Sequence, residues 1–119
     1  MTVGRICSRE TVIANAGESI QTAADRMREK RVGTLVILDE DTKPTGLLTD
    51  RDIVTRVVAA GEDPATTSVV DVMSPAPESI NQNAPIEDAL AAMATHGRRR
   101  LIVIDDSGMT VGLVALDDV

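Results

Sequence analysis

The chain contains one pattern twice, at a constant separation of 66 residues. The stretch Gly46-Leu-Leu-Thr-Asp-Arg-Asp52 returns in altered form as Gly112-Leu-Val-Ala-Leu-Asp-Asp118. Without a gap, the same offset pairs further identical residues: Val3 with Val69, Ser8 with Ser74, Asn15 with Asn81, Ile20 with Ile86, Met27 with Met93, Leu35 with Leu101 and Asp39 with Asp105. Self-similarity at a fixed period indicates duplicated structural units. We therefore divide the 119 residues into a first repeat with its linker, 1–66, and a second repeat, 67–119.

The composition argues against several classes of function. A formal net charge of -7 opposes nucleic-acid binding, which depends on neutralising phosphates with Lys and Arg, and there is no Phe, Tyr or Trp to stack on a base. One cysteine, Cys7, and one histidine, His96, cannot supply a structural zinc site or an intrachain disulfide. No apolar run approaches the ~20 residues that span a bilayer, so we expect a cytoplasmic protein without a membrane partner.

Each repeat predicts a helix after a lead-in segment, Val3–Ser8 or Val69–Ser74, and a short β-prone piece. Ser19 is the expected N-cap of the first helix, and Pro85 is expected in the first turn of the second. Apolar residues at helical spacing predict the inner faces: Ile20, Ala23, Ala24 and Met27 in the first repeat, and Ile86, Ala89, Leu90 and Met93 in the second. Gly33 and Gly97 are expected to end these helices.

A hairpin and a further helix should follow. The segments Leu35–Leu38 and Leu101–Ile104 are almost wholly apolar, which predicts strands covered on both faces. Polar turns connect them to strands that begin at Gly46 and Gly112. The second helix of the first repeat should start after Thr49, end at Gly61 and bury Ile53, Val54, Val57 and Val58. The expected class is α+β with tandem β-α-β-β-α repeats; the second repeat stops at Val119, so its last helix is expected to be missing.

These residues resemble a known family, the CBS domain pair or Bateman module. The resemblance covers essentially the whole chain and lies in five segments: Met27-Arg-Glu-Lys-Arg31, Gly33-Thr-Leu-Val-Ile-Leu-Asp39, Gly46-Leu-Leu-Thr-Asp-Arg-Asp-Ile53, the linker Gly61-Glu-Asp-Pro64 and Asp71-Val-Met-Ser74. It implies two repeats packed about a pseudo-twofold axis, with clefts that bind AMP, ADP, ATP or S-adenosylmethionine. It also implies a homodimer and a role in signal transduction, in which ligand binding alters an unknown regulated protein. No catalytic role and no other cofactor are implied.

Two readings of Thr49 and Asp52 follow from their position where a strand turns into a helix. Thr followed three residues later by an acid is a capping box in any protein. The resemblance adds a ligand-binding role, in which Asp52 accepts hydrogen bonds from ribose hydroxyls while Thr49 and the helix N-terminus contact the sugar or the phosphate. In the second repeat Asp118 is retained but Ala115 replaces the hydroxyl, so the cleft carrying Asp118 is expected to be the weaker one.

The second half has three basic residues, the consecutive Arg98, Arg99 and Arg100. Guanidinium groups offer paired donors to phosphate oxygens, although a solvated surface role is the alternative. The resemblance assigns Arg99 and Arg100 to the phosphate of the ligand bound by Asp52. The resemblance also assigns the reading of the base edge to backbone groups near Val12 to Asn15, with Ile13 as a ligand-binding residue, whereas Asn15 and Asn81 could equally be turn residues.

No nucleophile beside a base and no acid–base pair of carboxylates is visible, so an enzyme is not indicated. His96 matches Lys30 across the repeats, which suits a cation at a helix C-terminus. The alternative to ligand sensing is a scaffold of the same fold that serves dimerisation or partner docking with an empty cleft. The missing last helix favours it, because apolar surface would be left open.

Overall fold

The computed structural model describes residues 1–75 and 79–116, which fold into two compact units. The first-repeat unit is Val12–Ala76, and the second-repeat unit combines Met1–Thr11 with Pro77–Val119. This division differs from the sequence repeats 1–66 and 67–119, because each unit contains the lead-in segment of the other repeat. The predicted α+β class is confirmed, since each unit joins helices to a small mixed sheet.

The described elements follow the predicted order in both repeats. In chain order they are α1 Val3–Ile6, β1 Ile13–Asn15, α2 Ile20–Lys30, β2 Thr34–Leu38, β3 Pro44–Thr49, α3 Asp50–Ile53, a π-helical segment Val54–Val58, a 3-10 turn Val69–Asp71, β4 Ser74–Pro75, β5 Ser79–Asn81, α4 Ile86–His96, β6 Arg100–Ile104 and β7 Thr110–Ala115. Even the longest of these helices, α2 and α4, have only 11 residues, and within the described residues no helix is long and apolar enough to cross a bilayer.

The first three strands of one sheet have the same topology as the three strands of the other. The first-repeat sheet has the order β1-β2-β3-β4, and the second-repeat sheet has the order β5-β6-β7. In the first-repeat sheet, β1 runs parallel to β2, and β2 pairs antiparallel with β3. In the second-repeat sheet, β5 runs parallel to β6, and β6 pairs antiparallel with β7. The predicted burial of both faces is confirmed, because Leu35, Val36 and Ile37 are all fully buried, as are Leu101, Ile102 and Val103.

Helix α2 has the inner face that its spacing predicts at three of the four positions, whereas Ala24 is only half-buried. Ser19 accepts a hydrogen bond from the Thr22 backbone N–H at its N-cap, while Ile20, Ala23 and Met27 are buried. The prediction for α4 is correct for Ala89 and Met93 but wrong for Leu90, which is 40% exposed. A short helix on a small sheet buries one narrow stripe, and Leu90 lies about 100° around the axis from Ala89. Pro85 is the N-cap of α4 with an extended backbone, outside the first turn.

The second helix of the first repeat is less regular than its periodicity predicts. It starts after Thr49 as α3 but continues as the π-helical segment. Val57 is fully buried and Ile53 packs against the core, whereas Val54 and Val58 are 57% and 68% exposed. The prediction of an inward position is therefore wrong for Val54 and Val58, which form a second stripe beside the buried one.

The lead-in segments attach to the two units by equivalent backbone hydrogen bonds. In the second-repeat unit, Val3 N–H donates to the Ala84 carbonyl at 2.9 Å. In the first-repeat unit, Val69 N–H donates to the Glu18 carbonyl at 2.8 Å. Both valines are fully buried in the core of the unit they join. Each lead-in thus supplies apolar side chains and sheet-edge partners to the other repeat.

Helices α2 and α4 end in the same left-handed conformation but on different residues. Gly97 is the C-cap of α4 with φ 63°, as predicted. The prediction is wrong for Gly33, because Arg31 is the C-cap of α2 with φ 56°. Gly33 serves instead as a point of close approach: a Cβ there would lie 2.9 Å from Asp50 Oδ2.

Exchanging the residue types at these caps should change stability in opposite directions. Only glycine adopts a positive φ without steric cost, so Arg31→Gly is expected to stabilise the protein by about 0.5–1 kcal/mol. Gly97→Ala is expected to destabilise it by about 1 kcal/mol. Thermal unfolding followed by far-ultraviolet circular dichroism measures both changes. A lower midpoint for Arg31→Gly would contradict the cap assignment.

Candidate functional site

Thr49 and Asp52 form a complete capping box at the junction of β3 and α3. The Asp52 backbone N–H donates to Thr49 Oγ1 at 3.1 Å, and the Thr49 backbone N–H donates to Asp52 Oδ2 at 3.0 Å. These reciprocal bonds satisfy two backbone donors at the start of the helix. The capping interpretation of this motif is therefore confirmed.

The cap uses only one of the two Asp52 carboxylate oxygens. Within the described part of the chain, no hydrogen bond reaches Asp52 Oδ1, and the residue is only half-buried. An ionised carboxylate accepts several hydrogen bonds, so capping leaves acceptor capacity directed at solvent. Asp52 can thus cap α3 and accept donors from a ligand at the same time, with the cap holding its side chain in one orientation.

In both units, the residue just before the first hairpin strand is hydrogen-bonded to the residue just after the second hairpin strand. Asp50 N–H donates to the Gly33 carbonyl at 2.9 Å, and Leu116 N–H donates to the Arg99 carbonyl at 2.8 Å. These two bonds are equivalent under the 66-residue offset. Arg99 therefore lies at the strand-to-helix element of its own unit. Asp118, the predicted ligand-binding carboxylate of that element, lies outside the described residues.

The three arginines of the second repeat lie just before and at the start of β6. The Arg98 backbone N–H donates to the Met93 carbonyl at the end of α4, at 2.9 Å. Arg99 and Arg100 are exposed, and Arg100 is the first residue of β6, opposite Ala115. No ion pair between Arg100 and an acid is found among the described residues. The predicted phosphate role of Arg99 and Arg100 remains a prediction, but the Arg100 guanidinium is accessible to an anion.

The backbone of β1 around Ile13 is held by two side chains that the sequence alone did not single out. The Ile13 carbonyl accepts a hydrogen bond from Arg26 Nη1 at 3.1 Å, and Asn15 N–H donates to Glu18 Oε1 at 3.1 Å. Arg26 Nη1 and Glu18 Oε2 form an ion pair at 2.8 Å. One signal was present in the sequence, since Arg26 and Glu18 match Ala92 and Ala84 across the offset.

The two equivalent asparagines have different roles. Asn81 behaves as a turn residue, because its Oδ1 accepts a hydrogen bond from Asn83 N–H at 2.9 Å. The Asn15 side chain instead donates to Glu18 Oε1 at 3.3 Å. His96 is the last residue of α4, as the repeat predicts. No group of three or more His, Cys, Asp or Glu side chains that could hold a metal ion occurs in residues 1–75 and 79–116.

Duplicated mixed sheets with this strand order, each with a helix before its hairpin, define the class of the protein. The CBS domain model matches residues 3–59 and again residues 69–119, so the chain belongs to the CBS domain family. The two matches correspond to the two repeats, and no catalytic family is indicated by the relatives that the comparisons find.

Relatives and solved structures extend over most of the chain. An uncharacterized protein of Methanopyrus kandleri is 31% identical over 119 residues, 100% of this chain, which spans 61% of that protein. Hypoxic response protein 1 of Mycobacterium tuberculosis is 37% identical over 114 residues, 90% of this chain and 79% of that protein. A crystal structure of Hypoxic Response Protein I with two coordinated zinc ions has a TM-score of 0.84 and 34% identity, covering 99% of this chain and 95% of that chain.

The fold is also shared with a CBS domain protein from Pyrobaculum aerophilum that was crystallised in complex with AMP. The TM-score is 0.87 and the coverage is 99% of this chain and 89% of that chain. At 23% identity this likeness concerns the fold alone.

Proposed function

We propose that this CBS pair is a regulatory module that binds an adenine nucleotide, AMP, ADP or ATP, with S-adenosylmethionine as a further candidate. The observation that carries the proposal is the half-buried Asp52, whose Oδ2 is fixed by the Thr49 backbone while its Oδ1 has no hydrogen-bond partner among the described residues. Family membership supports it, and the AMP complex of the Pyrobaculum protein indicates that this fold can hold a nucleotide.

The chemistry of the ligand suits these groups. The two ribose hydroxyls are donors, and a carboxylate whose orientation is already fixed can accept from them with little loss of side-chain entropy. Arg99 and Arg100 are the proposed phosphate contacts, since guanidinium groups bind phosphate oxygens with paired donors. Backbone groups at Ile13 are the proposed contacts of the base. Asp118 would have the role of Asp52 in a weaker second site.

A regulatory role requires that the ligand stabilises one conformational state more than another. The proposed output is a change in how the pair engages a regulated protein, with a homodimer as the proposed assembly. The nucleotide acts as a signal in this scheme and is not consumed.

Calorimetric titration of the purified chain with AMP, ADP, ATP and S-adenosylmethionine tests the proposal. We expect saturation at about one ligand per chain, and Asp52→Ala is expected to weaken binding by about 10- to 100-fold, because charged hydrogen bonds contribute about 1.5–3 kcal/mol. The chain has no Trp or Tyr, so calorimetry is preferable to intrinsic fluorescence.

Two variants control for charge and for the cap. Asp50→Ala removes an exposed acid from the same helical turn and should leave binding unchanged. Asp52→Asn keeps a side-chain oxygen for the Thr49 N–H, so a loss of affinity in this variant reports on ligand contacts. Flat titrations with all four compounds would reject the nucleotide proposal.

The alternative is a ligand-free scaffold for dimerisation or partner docking. It is favoured by the adjacent exposed side chains of Val54 and Val58, since exposed apolar surface of this kind is typical of interaction sites. In a scaffold, Asp52→Ala would cost only the cap, about 1 kcal/mol of stability, and no nucleotide would produce heat.

A further inference from the structure

Within residues 1–75 and 79–116, the outer edge of β1 has one backbone group that makes no hydrogen bond. Val36 N–H donates to the Val12 carbonyl at 3.0 Å and Ala16 N–H to the Leu38 carbonyl at 3.3 Å, so the even-numbered residues of this segment face β2. Residues of a strand alternate, and Ile13 therefore turns its backbone groups to the open edge.

Arg26 and Glu18 occupy most of that edge. The Ile13 carbonyl accepts from Arg26 Nη1, and Asn15 N–H donates to Glu18 Oε1, both at 3.1 Å. The Asn15 carbonyl accepts from Glu18 N–H at 3.0 Å. Among the described residues no hydrogen bond uses Ile13 N–H, and the residue is 48% exposed. The edge thus presents a single free donor to solvent.

The ion pair between Arg26 and Glu18 joins these contacts into one unit, which we call the β1 clamp. Its two atoms, Arg26 Nη1 and Glu18 Oε2, are 2.8 Å apart, and the side chains are 28% and 22% exposed. Partly buried pairs with several hydrogen bonds are better defined in geometry than freely exposed ones. The clamp therefore holds Ile13 in a fixed position at the edge.

The fold itself does not require this clamp. In the second-repeat unit the equivalent residues are Ala84 and Ala92, which pack against the second core, and β5 still pairs with β6 in the equivalent register. A feature present in one repeat and dispensable in the other points to a role specific to the first-repeat unit.

We propose that Arg26 and Glu18 are positioning residues that set the base selectivity of the ligand site by presenting Ile13 N–H as its base-reading donor. This inference rests on the proposed nucleotide-binding function. Adenine has a hydrogen-bond acceptor at N1, to which a backbone N–H can donate. Hypoxanthine, the base of IMP, carries a hydrogen at N1, so its N1–H donor would face the Ile13 N–H donor. A site built around such a hydrogen bond rejects the analogue that cannot form it. The clamp accordingly favours AMP over IMP.

Titration of AMP and IMP against the wild type and clamp variants tests this role. The ratio of the two dissociation constants is expected to favour AMP by about tenfold or more in the wild type. In Arg26→Ala the ratio should fall toward unity, mainly through weaker AMP binding. Asp52→Ala should weaken both nucleotides equally and keep the ratio, because the ribose is common to both.

Matched variants separate a role of Arg26 in positioning Ile13 from a contribution of Arg26 to the stability of the protein. Arg28→Ala removes the same charge from α2, where the exposed Arg28 forms an ion pair with Asp25 at 3.8 Å, and should keep both affinities. Arg26→Met retains the aliphatic stem without any donor, so it should show the same fall in the ratio even if Arg26→Ala is poorly folded. A simple edge-protecting role would lower the unfolding midpoint and leave the ratio unchanged.

The outcomes distinguish the positioning role of Arg26 and Glu18 from the nucleotide-binding proposal on which it rests. AMP binding by the wild type with an unaltered ratio in both Arg26 variants would overturn the positioning role and leave the nucleotide proposal standing. No binding of AMP by the wild type would overturn both. A ratio that falls in both Arg26 variants but not in Arg28→Ala is the expected result.

Discussion

Replacing Gly112 by alanine is expected to detach the lead-in segment from the second-repeat unit and to lower stability by about 3 kcal/mol. The added Cβ would meet the Ser8 carbonyl oxygen, with the Ser8 carbonyl carbon at 3.1 Å and Cys7 Sγ at 3.2 Å. The first obstacle is backbone, so no rotamer change relieves it. Relief would break the bonds between Ser8 and Leu113, at 2.7 and 2.9 Å, that attach the segment to β7.

Thermal unfolding measures this effect. A loss of about 3 kcal/mol should lower the midpoint by roughly 10 °C in a domain of this size. Hydrogen exchange should rise first in residues 1–8 and in β7. Gly17→Ala is the control, because a Cβ at Gly17 meets nothing within 4 Å. Gly46→Ala should be milder than Gly112→Ala, since its nearest contact is the flexible Met73 side chain and its backbone contact, the Ser74 carbonyl oxygen, is farther away at 2.9 Å. A Gly112→Ala midpoint equal to that of the wild type would contradict the tight packing of Ser8.

Removing both predicted phosphate contacts is expected to weaken AMP binding by at least about a hundredfold while leaving adenosine binding unchanged. The variant is Arg99→Gln combined with Arg100→Gln, which keeps long polar side chains but removes two cations. Each lost charged hydrogen bond contributes about 1.5–3 kcal/mol, so two of them account for an effect of this size. Adenosine lacks the phosphate and serves as the internal reference.

A charge-matched variant distinguishes contact from general electrostatics. Arg5→Gln with Arg28→Gln also removes two positive charges from exposed positions of an already acidic chain. Long-range effects are screened at physiological salt, so this control should reduce AMP affinity by less than about threefold. Equal losses of AMP binding in the two double variants would reject a specific phosphate role for Arg99 and Arg100.

Much of each repeat could be predicted from local pattern. Ser19, the buried stripe of α2 and the capping box of Thr49 and Asp52 depend on residues within a few positions of one another, and such rules are readable along the chain. The hairpins follow from apolar runs separated by polar turns. Errors arose where a second stripe of similar residues competed for burial, as at Leu90, Val54 and Val58.

Two features of the first-repeat unit depend on contacts that spacing does not reveal. Arg26 reaches the Ile13 carbonyl across 13 residues, and its role is visible only once β1 is known to be an edge strand. Gly33 resembles a helix end in the sequence, yet it provides space for the Asp50 carboxylate. Proximity between elements, rather than residue type, defines both roles.

The duplication is readable in the chain as a constant offset, and the class of each element and the capping box at Thr49 follow from periodicity and capping rules that act over a few residues. The joining of each lead-in segment to the unit of the other repeat is visible only in the folded chain. Val3 and Val69 are equally apolar and could fill either core by pattern alone. The choice between them depends on which sheet edge each segment reaches, and on the glycines at positions 46 and 112 that admit its backbone.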